Sequence, residues 1–152
     1  MIEGLPADPI RWYEGMRLRV LVDAPTAGGQ FALCEVHAPA GAATSVHRHE
    51  HEDEVVHVRA GRVDLWTRDE HRILGAGESG HLPRGVPHRL RALGDGPADL
   101  LIAFMPGGVE ASLLAASTTD ADGPLDPDDL AALLSAAGIR TLPWEQPPAL
   151  EA

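Results

Sequence analysis

Cysteine is nearly absent from this chain. Cys34 stands alone, which excludes an internal disulfide and makes a reducing cytoplasm the expected compartment. Cys34 lies in an apolar alternating run, so it is expected to be a small core side chain rather than a nucleophile. Aromatic residues are also scarce, while Gly and Pro are abundant and spread along the chain. That mixture favours many short strands joined by turns over long helices. Positive charge is in deficit, with a formal net charge of -11. Such a surface repels nucleic acid and anionic membranes, and there is no basic run, so neither is an expected partner. No apolar stretch approaches membrane-spanning length. Residues 1–9 lack a basic segment followed by an apolar run, so a signal peptide is not expected. Repeats and low-complexity segments are missing too. The length suits one domain, residues 1–152.

What is present alternates. Residues 16–23 and 30–37 read as strands, the second stopped by Pro39 and Gly41. Residues 55–58 and 62–67 flank Ala60 and Gly61, a tight-turn pair. Shorter strands are expected at 71–74 and 80–82, longer ones at 87–93 and 99–105. After Pro106 the character changes. Residues 109–116 can be helical, and 126–138 form a strong helical segment. Asp126 suits the N-cap, Pro127 the first turn, and Gly138 the C-terminal end. Leu130, Leu133 and Leu134 give this helix one apolar face, expected to pack on the outside of the sheet. The Pro-rich end, 143–149, reads as an extended tail. Strands first and helices last imply an all-β core, a sandwich or barrel over about 16–106, with helical decoration over about 109–140.

Residues 41–61 are dense in histidine and carboxylate. His47 and His49 are two apart, so on a strand they share a face, about 7 Å apart. Glu54 is at an odd offset and cannot share that face on one straight strand. A turn over the polar residues 50–53, closing a hairpin, would bring it back beside the histidines. Two imidazoles and a carboxylate suit a divalent transition metal and leave coordination positions open. A further ligand should come from another strand, and His88, which follows the turn shaped by Gly77, Pro83 and Gly85, is the candidate.

These residues fit G-x5-H-x-H-x4-E-x6-G as Gly41, His47, His49, Glu54 and Gly61, then G-x5-P-x-G-x2-H as Gly77, Pro83, Gly85 and His88. The pair resembles the two cupin motifs, joined by the short segment 62–76. The wider chain resembles small single-domain bacterial cupins of the quercetin-dioxygenase-like group, through residues 26–29, 105–108 and 137–139. The resemblance implies a double-stranded β-helix, or jelly-roll barrel, with a metal inside it. It implies His47, His49, Glu54 and His88 as metal ligands, with Glu54 also the candidate catalytic residue. Two departures are visible. Ala92 stands where the second motif often has Asn, and Thr44, Ser45 and Val46 replace the prolines that often precede the first histidine.

Other residues leave alternatives open. His49 and His51 also form an H-x-H pair, although Glu54 would then follow too closely for a comfortable turn. Otherwise His51 and Glu52 sit in the turn or orient a ligand imidazole. His37, His57 and His71 are expected at the surface or at a subunit contact, while His81 either lines the pocket or is exposed. Trp12, Trp66 and Trp144 read as packing or interface residues. Glu35 is a buried acid or base only if Phe31, Leu33 and Glu35 face inward; the opposite register turns Ala32, Cys34 and Val36 in. Val56, Val58, Leu90, Ile102 and Phe104 are candidate wall residues.

The resemblance implies one divalent ion. Fe2+ is the expected one, with Ni2+, Mn2+, Cu2+, Zn2+ or Co2+ as alternatives. It implies a dioxygenase acting, with O2, on a small enolisable or aromatic compound such as a flavonoid or polyketide. The alternatives are a non-redox cyclase, isomerase or lyase, and a non-catalytic small-molecule-binding cupin. A homodimer through the edge strand 16–23 is expected, since exposed edges invite pairing.

Overall fold

The computed structural model describes residues 1–6, 8–119 and 125–141. Apolar alternation builds most of it. In chain order the strands are β1 (Arg11–Tyr13), β2 (Met16–Val22), β3 (Ala32–Ala38), β4 (His47–His49), β5 (Asp53–Ala60), β6 (Arg62–Thr67), β7 (His71–Gly75), β8 (Ser79–Leu82), β9 (His88–Ala92) and β10 (Ala98–Met105). Helices α1 (Val109–Ala115) and α2 (Pro127–Ala136) and strand β11 (Ile139–Thr141) follow. One sheet has the order β1-β2-β3-β10-β5-β8, the other β11-β4-β9-β6-β7, and the pairings are antiparallel. This is the double-stranded β-helix expected from the sequence. Its core lies between the sheets. Val20, Cys34, Val56, Val58, Leu100 and Ile102 face Val63, Leu65, Leu74, Leu90 and Ala92.

The strand expectations hold to within a residue or two, except that β5 begins earlier and carries Glu54 within it. Strands β1 and β11 were not foreseen. Each has only three residues, too few to show a period. Their effect on topology is large. β1 pairs with the outer side of β2, and Trp12 of β1 is bridged in turn to Thr118. Segment 16–23 is therefore not the free edge it was expected to be.

Residues 50–53 do not close the hairpin expected of them. They carry the chain from β4 in the five-stranded sheet to β5 in the six-stranded sheet. The odd offset of Glu54 from His49 is resolved by a change of sheet, which lets the carboxylate meet the histidines from across the barrel.

Asp126 caps α2 as expected, accepting a hydrogen bond from Asp128 N–H at 2.9 Å. Leu134 is buried and Leu130 packs on the core, but Leu133 is exposed, so the apolar face is narrower than the sequence suggested. The helix rests against α1 and β11. Segment 143–149 and Trp144 lie outside the described residues.

Candidate metal centre

Strands β4 and β9 lie side by side, with His47 paired to His88. β5 faces them from the other sheet and presents Glu54. One ligand atom from each of His47, His49, Glu54 and His88 falls within 4.8 Å of the others. Glu54 Oε2 is 3.2 Å from Nε2 of both His49 and His88. The His47 and His88 ring centroids are 4.4 Å apart. His49, Glu54 and His88 are buried, His47 half-buried. The structure thus brings together the four side chains that the sequence motifs single out.

The outer ring nitrogens fix how the imidazoles point. His47 Nδ1 lies 2.7 Å from the Ser45 carbonyl, and His88 Nδ1 lies 3.0 Å from the Val86 carbonyl. A carbonyl only accepts, so each Nδ1 must carry the hydrogen, and a neutral ring then turns an Nε2 lone pair into the cluster. His49 Nδ1 faces Glu52 Oε2 at 3.7 Å. Backbone carbonyls and carboxylates in such positions orient metal-binding histidines.

The inner atoms are left wanting. Among the described residues, buried His88 Nε2 and Glu54 Oε2 have no hydrogen-bond partner. Lone pairs converging on an ionised carboxylate repel one another unless a cation lies between them. The donor set therefore fits a divalent ion, and the three imidazoles and one carboxylate could hold one.

Electrostatics agree. Burial, reinforced by His88 and His49, pushes the His47 imidazole down to about 3, so it is neutral at ordinary pH. Burial alone would raise Glu54, but the His49 and His88 imidazoles beside it outweigh burial and hold the carboxyl well below its usual range. For His88, burial is outweighed by Glu54, which raises the imidazole above its ordinary value. Without an ion, the proton is drawn to the place a cation would take.

The cluster opens into a mostly apolar cavity lined by Met16, Leu18, Val36, Leu90, Ile102 and Phe104, among others. Leu90, Ile102 and Phe104 were expected there. Val56 and Val58 do not line it and are packed in the core instead. Cys34 is buried, as expected, and also lines the cavity; burial pushes its thiol up to about 12, so it stays protonated. Tyr13 of the unforeseen β1 lines the cavity too, its phenol raised by burial and by Glu14 and Glu54.

Several open questions close. Ala32, Cys34 and Val36 face inward, so Glu35 is turned out and pairs with Arg59 at 3.3 Å. It is not a buried acid. His51 is exposed and packs beside Gly138, where an added Cβ would meet its ring at 2.9 Å. Glu52, not His51, faces a cluster histidine. His81 is exposed and away from the cavity. His37 bonds Asp99, His57 bonds Ser79, and His71 bonds Asp64. Trp12 stacks under the Arg17 guanidinium, and Trp66 is buried.

Residues 34–104, a little under half of the chain but including both histidine motifs, match the family described as Cupin domain. No curated protein matches the sequence. Among solved structures, the chain is similar to the polyketide cyclase RemF from Streptomyces resistomycificus, with 25% identity, a TM-score of 0.56 and coverage of 69% of this chain and 80% of that one. KdgF from Halomonas sp. gives 19% identity and a TM-score of 0.59, covering 70% of this chain and 91% of that one. A Cupin 2 conserved barrel domain protein from Salinispora arenicola gives 21% identity and a TM-score of 0.59, covering 76% and 98%. The last two likenesses show the fold. Fold and family match together support the cupin superfamily.

Proposed function

We propose that this cupin is a metal-dependent enzyme acting on a small, largely apolar compound with an enol or phenol oxygen, and that dioxygenation is its reaction. The observation that carries the metal-enzyme reading is the convergence of His47, His49, Glu54 and His88 within 4.8 Å at the head of an apolar cavity. The choice of dioxygenation rests on the resemblance of the two motifs and their flanks to the quercetin-dioxygenase-like group.

His47, His49, Glu54 and His88 would hold one divalent ion, Fe2+ being the expected one. Such an ion supplies a positive centre for an enolate or phenolate oxygen and, when redox-active, a means of engaging O2. The chain does the rest. Leu90, Ile102 and Phe104 exclude water and press a flat substrate against the cluster. Glu54 stays ionised and balances positive charge. The Tyr13 phenol lines the cavity and stays protonated. It can therefore donate to a second oxygen of the substrate. On this reading Tyr13→Phe raises KM more than it lowers kcat, because the contact serves binding.

A second reading is favoured by the similarity to a polyketide cyclase at 25% identity. On this second reading His47, His49, Glu54 and His88 would hold a non-redox ion, which would supply a positive centre for cyclisation or isomerisation chemistry without O2. The separating experiment is O2 uptake by protein reconstituted with Fe2+, using enolic and flavonoid-like compounds. Uptake matched to substrate loss supports dioxygenation. Substrate loss at the same rate without O2 moves the assignment to the cyclase. The homodimer remains part of the proposal, through an outer strand such as β7 or β8, and light scattering should give twice 16.1 kDa.

A further inference from the structure

The turn between β1 and β2 is made by Glu14 and Gly15, with φ of 49° and 77°. Both lie in the left-handed region that a tight two-residue hairpin turn demands, where Asn, Asp and Gly are favoured. Among the described residues Glu14 is the one non-glycine with a positive φ. A glutamate here breaks the local preference, and such breaks concentrate where a side chain serves another purpose.

Its side chain reaches the segment that leads into β4. Glu14 Oε1 accepts hydrogen bonds from the Ser45 amide at 3.2 Å and the Ser45 hydroxyl at 2.7 Å. The Ser45 carbonyl in turn accepts from His47 Nδ1 at 2.7 Å. Thr44 is separately tied to β9, its amide donating to the Leu90 carbonyl at 2.9 Å and its hydroxyl accepting from the Leu90 amide at 3.1 Å. Residues 44–46 are thus held from two sides, by β9 and by Glu14.

We infer that Glu14 is a positioning residue for the metal centre, acting through Ser45 to hold His47 in the tautomer and orientation that present Nε2 to the ion. This rests on the proposed metal role of His47. A carboxylate gripping both donors of Ser45 restrains the backbone whose carbonyl the His47 ring faces. The N-terminal hairpin, not otherwise part of the histidine motifs, thereby becomes part of the site.

The test compares Glu14→Gly and Glu14→Gln with the wild-type full chain. Glycine suits the positive φ, so Glu14→Gly removes the carboxylate without adding backbone strain. Gln keeps an oxygen that can accept from Ser45. Three quantities are measured: the Co2+ dissociation constant by chelator competition, the visible spectrum of bound Co2+, and the His47 tautomer in metal-free protein by imidazole nitrogen NMR. The expected result is a roughly tenfold weaker Co2+ affinity in Glu14→Gly, within the range that loss of an orienting partner produces. An altered spectrum and a mixed His47 tautomer accompany it, and Glu14→Gln is restored towards wild type. Wild-type affinity, spectrum and single tautomer in Glu14→Gly would overturn the inference. If the wild type binds no Co2+, the metal reading fails, and the tautomer comparison alone still decides whether Glu14 sets His47. A lowered melting temperature with all three quantities unchanged would show a structural tie only.

Discussion

Glu54 Oε2 meets only other members of the cluster, His49 and His88, each at 3.2 Å, so Glu54 and His88 should each matter to an ion more than to the fold. His88→Ala and Glu54→Gln should each abolish stoichiometric metal, measured by elemental analysis, while the far-ultraviolet circular dichroism stays that of a β-protein. Glu52→Ala removes only the carboxylate behind His49, at 3.7 Å. It should weaken metal affinity by about ten- to a hundredfold without abolishing binding. A chelator titration that left Glu52→Ala like wild type would remove Glu52 from the site. At this scale the sequence was informative where chemistry is coded by spacing. His47, His49, Glu54 and His88 could be named because two motifs fix their intervals. Glu35 could not be placed, because segment 30–37 is apolar on both faces. Phe31 and Leu33 compete with Ala32, Cys34 and Val36, and only the pairing of β3 with β2 and β10 decides. Glu14 and Tyr13 gave no signal, since their importance comes from contacts more than thirty residues away in sequence.

The elements that place these residues depend on a few buried groups. Glu110 at the start of α1 is 2% exposed and spans two backbone donors, Ala24 N–H and Gly108 N–H, each at 2.6 Å. It stitches the loop after β2 to the end of β10. Glu110→Ala leaves the half-buried Ala24 donor and the exposed Gly108 donor without their carboxylate and should cost about 1 to 2 kcal/mol of folding free energy, measured by denaturant unfolding. Gly61, between β5 and β6, has φ of 77°, and a Cβ there would lie 2.2 Å from the Pro97 carbonyl oxygen. Gly61→Ala therefore combines left-handed strain with a backbone clash and should cost more than about 2 kcal/mol. A loss below 0.5 kcal/mol on the same assay would mean that the 95–97 loop yields freely (an order-of-magnitude bound for surface sites). The break at Ala60 and Gly61 was legible because glycine marks it, but it carries the chain from β5 in one sheet to β6 in the other and does not close the tight hairpin turn that was expected. The passage from β4 to β5 was misread as a hairpin because a polar stretch of that length looks alike whether it reverses a strand or changes sheets. β11, which flanks β4 through Ile139 opposite His49, was invisible for the same reason as β1: three residues carry no periodicity.

For the molecule as a whole, stability and metal binding are linked through the same side chains. Unfolded His47 binds a proton below its ordinary 6.5, whereas the folded side chain resists until about 3. The unfolded chain thus holds more protons in that window, and the metal-free protein loses stability as pH falls through it. Glu54, depressed in the fold, adds to the loss once pH drops below its ordinary 4.5. His88 acts the other way: raised in the fold, its contribution is complete below 6.5 and fades as pH rises through its folded value. The His47 shift is the large one, so metal-free protein should melt lower at pH 5 than at pH 7, and His47→Gln should flatten the difference. Equal melting temperatures in the wild type would contradict the neutral His47. The fold class was readable from the whole sequence because alternation, abundant turns and paired motifs agree with one another. The substrate was not, since the cavity wall depends on strand register and on β1. The most direct test of the central claim is elemental analysis of wild type and His88→Ala, purified without a chelating tag and reconstituted with Fe2+. The account predicts close to one ion per chain in the wild type, lost in the variant. An equal metal content in the two proteins, or none in either, would contradict it.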